Sequence, residues 1–134
     1  MMIMRQRIPF VGLAVLALAV AAACAPQDGG SRSIGAAALA ERIAADDAPV
    51  VLDVRTPDEY AAGHIPGAVN IPHDELRDRI GELGADRDAE IVVHCQSGGR
   101  AAAAEEILHE AGFVQVIDLE GHMQAWKDGG NPVE

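Results

Sequence analysis

Short runs of Val, Ile and Leu, separated by stretches of helical periodicity, constrain this 134-residue chain more than any other feature. PVVLDV (49–54) and EIVVHC (90–95) are nearly continuous apolar runs, the pattern of strands buried on both faces of a parallel sheet. VQVIDL (114–119) reads as a further strand and AVNI (68–71) as a minimal one. Between them the apolar residues recur every three or four positions: Ala36, Leu39, Ala40 and Ile43, then Leu76, Ile80 and Leu83, then Ala104, Ile107, Leu108 and Ala111. TPDEYAAG (56–63) predicts a brief helix with Thr56 as its cap, Pro57 at its first position and Gly63 at its end. Gly112 is placed to stop the Ala-rich helix, and GHMQAWKDG (121–129) predicts a closing helical turn or two. Aromatic residues are only 3% of the chain, so the core must be built from small and aliphatic side chains. Helices packed on a small buried sheet suit that material better than an all-β sandwich.

Strands alternating with helices imply right-handed crossovers, and hence an α/β fold with a mainly parallel central sheet flanked by helices on both faces. In such sheets chemistry gathers beyond the carboxyl ends of the strands. Three stretches fall on that edge: Asp53 to Arg55, CQSGGR (95–100) and DLEGH (118–122). CQSGGR joins a strand to a helix. Gly98 and Gly99 allow a tight curl, so that consecutive N–H groups and the helix N-terminus can point at the Cys95 sulfur. Such surroundings favour the thiolate, the reactive form, at neutral pH without a histidine base. Arg100 can brace this loop or meet an incoming anion with its planar fork. A buried structural cysteine is the bland alternative.

On these residues the chain resembles the rhodanese family of single-domain sulfurtransferases. VVLDVRTPDEYAAGHIPGAVNIP (50–72) resembles the family's first signature, CQSGGR its active loop C-x-S-G-x-R, and LEGHMQAWKDGGNPVE (119–134) its closing Gly- and Trp-bearing segment. The resemblance spans residues 34–134 and implies a rhodanese-like domain there. It implies that Cys95 takes sulfur from a small-molecule donor such as thiosulfate and passes it, through a persulfide, to a thiol acceptor, which could be a protein thiol. Gln96, Ser97, Gly98, Gly99 and Arg100 would form the cradle, and no cofactor is implied. Asp53 and Arg55 match family residues that support the loop or line its entrance; a plain ion pair between strand ends is the equal alternative.

Two positions depart from the family pattern. Gln96 stands where thiosulfate-using relatives often carry arginine, and Gly121-His122 stands where Gly-Gly is usual. His122 is then either a proton-transfer group at the pocket mouth or an idle side chain in solvent, and the idle reading is preferred. His94 precedes Cys95 by one residue, so strand alternation sends it to the opposite face. No H-x3-H or C-x-x-C spacing is present, so no metal site is expected. The rival readings are a phosphatase or arsenate reductase of the C-x5-R type, and a noncatalytic binding module on the same fold. Four residues separate Cys95 from Arg100, one fewer than in the C-x5-R loop, and the smaller ring suits a single sulfur atom.

The first 33 residues read separately. Arg5 and Arg7 precede an apolar run that ends at AAAC, so residues 1–23 are expected to be a signal peptide. Cys24 is expected to be a lipidated terminus, as in bacterial lipoproteins, with residues 24–33 a lipobox cysteine and flexible tether. Ordinary secretion and an uncleaved anchor are the alternatives. All three place the domain outside the cytoplasm, in the periplasm or at the outer cell surface, attached to a membrane through lipid in the first case. Arg5 and Arg7 are the only charges removed with the leader, so 10 basic and 21 acidic residues become 8 and 21, a net charge of −13. That balance argues against a nucleic-acid partner, and the domain is expected to be a monomer.

Overall fold

The computed structural model describes residues 32–134. The expected signal peptide, the expected lipidation site Cys24 and the expected tether up to residue 31 lie outside the described residues. Five parallel strands form one sheet in the order β1-β5-β4-β2-β3: β1 (Arg32–Ile34), β2 (Val50–Asp53), β3 (Val69–Asn70), β4 (Glu90–His94) and β5 (Gln115–Leu119). The α/β fold with a parallel sheet is therefore present. In register, Asp53 lies beside His94 and Val93 beside Asp118, which aligns the carboxyl ends of the three central strands.

Helices α1 (Ala36–Ala44), α2 (Pro57–Ala61), α3 (Leu76–Arg79), α4 (Gly99–Glu110) and α5 (His122–Asp128) fill the connections, and a 3-10 turn at Ile80–Leu83 extends α3. Each central strand sends side chains into two separate cores, so its apolar run is continuous rather than alternating. On one face Leu52, Ile91, Val93 and Val116 meet Leu76 of α3 and Ala101, Ala104 and Leu108 of α4. On the other Val51, Val92 and Ile117 meet Leu39 of α1 and Met123 and Trp126 of α5. Trp126 is sealed into that second core, and its indole N–H donates to the Pro132 carbonyl at 2.7 Å. Ala101 and Ala104 of α4 are fully buried in the first core.

Residues 32 and 33, expected to belong to a tether, are part of the sheet. Arg32 and Ser33 belong to β1, an edge strand paired with Ile117 and Asp118 of β5. Glu120 reinforces the pairing, its N–H donating to the Ile34 carbonyl at 2.9 Å and its carboxylate accepting from the Ser33 hydroxyl at 2.8 Å. Among the described residues no helix is long and apolar enough to cross a membrane.

Candidate active site

Cys95 directly follows β4 and is 1% exposed. The chain then curls over its sulfur, and Gly98 takes φ +124°, a conformation that side-chain-bearing residues rarely adopt. That curl brings the Gly98 N–H onto Sγ at 3.0 Å. The twelve-residue α4 starts at Gly99 with no side-chain cap. Its uncapped first turn therefore presents N–H groups at the loop. Gln96 and Gly98 are half-buried and Ser97 and Gly99 exposed, so the loop forms a thin roof over the sulfur.

The loop is held from two sides. On α2, Thr56 accepts the Glu59 N–H while the Glu59 carboxylate accepts from Thr56 in return, a capping box that fixes the Glu59 side chain. From there Glu59 grips Arg100 with two hydrogen bonds, Oε1 to Nη1 at 2.6 Å and Oε2 to Nη2 at 3.0 Å. Arg100 holds the Glu59 carboxyl down to about 2, and Glu59 raises Arg100 above its ordinary range with the Cys95 sulfur as a smaller contributor. Arg100 thus braces the loop, and its fork is already occupied by a carboxylate. Sequence reasoning missed Glu59; the acid at the third position of a capped helix on the site edge was the available signal.

The second support is α5. Successive residues bind the peptide groups around the cysteine: His122 Nδ1 accepts the Cys95 N–H at 3.3 Å, and the Met123 N–H donates to the Cys95 carbonyl at 3.0 Å. The Gln124 N–H donates to the Gln96 carbonyl at 3.4 Å, and the Gln96 side chain donates to Gln124 Oε1 at 3.3 Å. His122 is 7% exposed, which corrects the reading of an idle side chain in solvent. Gly121 takes φ +70°, and a Cβ there would collide with that of Ala125, so glycine is required at the turn into α5.

Asp53 and Arg55 do not line an entrance. Both are buried, with Arg55 Nη2 2.7 Å from Asp53 Oδ2 and 2.9 Å from the Gly63 carbonyl oxygen. The Arg55 N–H and Nε also donate to Asp53 Oδ1, each at 3.0 Å. The pair ties the end of β2 to the GHIPGA turn beneath the site; removing one member leaves an unpaired buried charge, at a cost of about 3–5 kcal/mol. His94 faces this pair from β4, its Nε2 3.8 Å from Asp53 Oδ2 and without a hydrogen-bond partner. Burial pushes His94 below its ordinary range, outweighing the pull of Asp53. The alternation rule sent His94 away from Cys95 but gave no sign that this face is closed.

Beside the loop, Gly98, Glu105, Asp118, Glu120 and His122 border an open cleft of about 480 Å3, whose wall does not include Cys95. Burial, and then the neighbouring Asp118 carboxylate, pushes Glu105 up to about 7. Among the described residues no three His, Cys, Asp or Glu side chains are arranged to hold a metal ion. What the arrangement can do is hold one sulfur under the Gly98 N–H beside the N-terminus of α4, which together stabilise negative charge there and on an atom bonded to it.

The chain is similar in sequence and fold to known proteins. Residues 35–129 match the family model described as Rhodanese-like domain. A sulfurtransferase of Allochromatium vinosum is 35% identical over 100 residues, covering 75% of this chain and 92% of that protein. The putative sulfurtransferase YtwF of Bacillus subtilis is 38% identical over 101 residues, covering 75% of this chain and 95% of its own. The crystal structure of a rhodanese-related protein from Thermoplasma volcanium superimposes with a TM-score of 0.66 at 43% identity, covering 77% of this chain and 97% of that one.

Proposed function

Because the chain belongs to the rhodanese-like family, we propose that it is a sulfurtransferase whose nucleophile is Cys95 and whose intermediate is a Cys95 persulfide. The observation that carries this reading is the Gly98 N–H aimed at Sγ from 3.0 Å, at the mouth of an uncapped helix. A donor such as thiosulfate presents its outer sulfur. The Cys95 thiolate attacks that sulfur, an S–S bond forms to Sγ, and the donor's own S–S bond breaks so that sulfite leaves with the electron pair. An acceptor thiolate then attacks the terminal sulfur, becomes a persulfide itself, and returns Cys95 as thiolate. In both steps negative charge stays on sulfur within the loop, where the Gly98 N–H and the N-terminus of α4 oppose it without further rearrangement.

Arg100 supports this reading over phosphate chemistry. Its fork is closed by Glu59, and the loop has only four residues between Cys95 and Arg100, which leaves little room for a tetrahedral oxyanion. The test is a side-by-side assay of the purified domain for sulfur transfer from thiosulfate to a small thiol and for hydrolysis of an aryl phosphate. Transfer without hydrolysis is expected. Hydrolysis without transfer would move the assignment to the phosphatase class, and neither activity would favour a binding module.

A further inference from the structure

His122 opens α5, and its ring is wedged into the loop. A backbone N–H can only donate, so the Cys95 N–H fixes Nδ1 as the acceptor. The imidazole proton must then sit on Nε2 when the ring is neutral. Nε2 faces Asp118 Oδ1 of β5 at 3.5 Å, a partner that favours this same tautomer. The ring also fills the space behind the curl: a Cβ on residue 98 would lie 3.0 Å from Nε2, so the imidazole and Gly98 abut. One ring therefore touches both the start of the loop, at the Cys95 N–H, and its apex, at Gly98, whose N–H holds the sulfur.

We propose that His122, oriented by Asp118, is a positioning residue for sulfur transfer: it binds the Cys95 N–H and backs Gly98, so that the Gly98 N–H is held on the sulfur. The inference rests on the sulfurtransferase reading and deepens it. Together with the Met123 N–H on the Cys95 carbonyl, the ring clamps both backbone groups of the nucleophile to α5. The Cys95 N–H is thereby withdrawn from the cradle. Without the ring that N–H is left buried and unpaired, or the loop shifts to let water reach it.

Glycine and asparagine both tolerate the φ of +53° at residue 122, so neither His122→Gly nor His122→Asn strains the backbone. Asparagine returns an acceptor oxygen near the place of Nδ1; glycine returns nothing. H122G should lower kcat for thiosulfate about tenfold or more with KM little changed, since misplacement is felt mainly in the transition state. H122N should recover most of that loss. A purely structural role would leave kcat alone while lowering the melting temperature. Wild-type kcat in H122G, or H122N as slow as H122G, overturns the proposal.

A second measurement does not depend on turnover. Long-range 1H–15N spectra of the histidine rings at neutral pH should show His122 with the proton on Nε2 and a bare Nδ1. A proton on Nδ1 overturns the proposal even if the enzyme is active. The expected tautomer in a protein that transfers no sulfur would overturn the sulfurtransferase reading, and with it the role given to His122.

Discussion

Replacing Glu59 by glutamine removes the charge that grips Arg100 while keeping a side chain of the same shape in the capping box. A carboxyl brought from its ordinary 4.5 to about 2 corresponds to an upper limit of roughly 3 kcal/mol of folded-state stabilisation. The Glu59 side chain is 34% exposed and that of Arg100 29%, so solvent screening brings the net to about 1–2 kcal/mol. In a domain of this size that predicts a melting temperature lower by roughly 5–10 °C at neutral pH. The folded-state pKa is depressed, so this contribution is complete above about 4.5 and fades as pH falls towards 2. Thermal melts of the wild type and E59Q should therefore converge as the solution is made acid. Freed of its carboxylate, Arg100 can also face an anion, and the thiosulfate KM should fall about fivefold, the equivalent of ~1 kcal/mol. A mutant that melts with the wild type at neutral pH, or a gap that persists unchanged into acid, would refute the clamp. A KM that stays put would refute the occupied-fork account of Arg100.

Glu105 behaves in the opposite sense. Its folded pKa of about 7 lies above the ordinary value, so the folded state loses stability as pH rises from about 4.5 to 7. Glu105→Gln should remove that slope and raise the melting temperature at pH values above about 7; a steeper slope in the mutant would contradict it. With Arg55 sealed against Asp53 and Arg100 against Glu59, little positive charge remains to attract an anionic donor. Gln96→Arg should therefore lower the thiosulfate KM more than it changes kcat, most clearly at low salt, and an unchanged low-salt KM would show that the loop's own N–H field dominates. On the lipoprotein reading of Cys24, the wild type partitions with membranes and Cys24→Ala releases it or blocks processing. A wild type found wholly soluble would show ordinary secretion instead.

What could be read from sequence divides along a physical line. Runs such as PVVLDV and EIVVHC announce strands because burial on both faces leaves no polar residue to break them. CQSGGR is legible because its cysteine, glycines and arginine are adjacent in the chain. β1 was not, since Arg32 and Ser33 are polar and become a strand only by pairing with β5. The Glu59–Arg100 clamp joins residues 41 apart and exists only once α2 and α4 are placed on the sheet. His94 and His122 show the same limit. Alternation predicts which way the His94 side chain points but not whether that side is closed, and a single turn residue such as His122 gives no sign of the loop that packs over it; both rings are buried.

The central claim, a persulfide on Cys95, is tested most directly by intact-mass spectrometry after mixing the protein with thiosulfate and removing the excess. The wild type should gain the mass of one sulfur atom, peptide mapping should locate it on Cys95, and a thiol should discharge it. Cys95→Ser, nearly the same in size but not ionised at neutral pH, should gain nothing while keeping the wild-type fold. An unmodified wild type, or an equal mass gain in Cys95→Ser, would contradict the account.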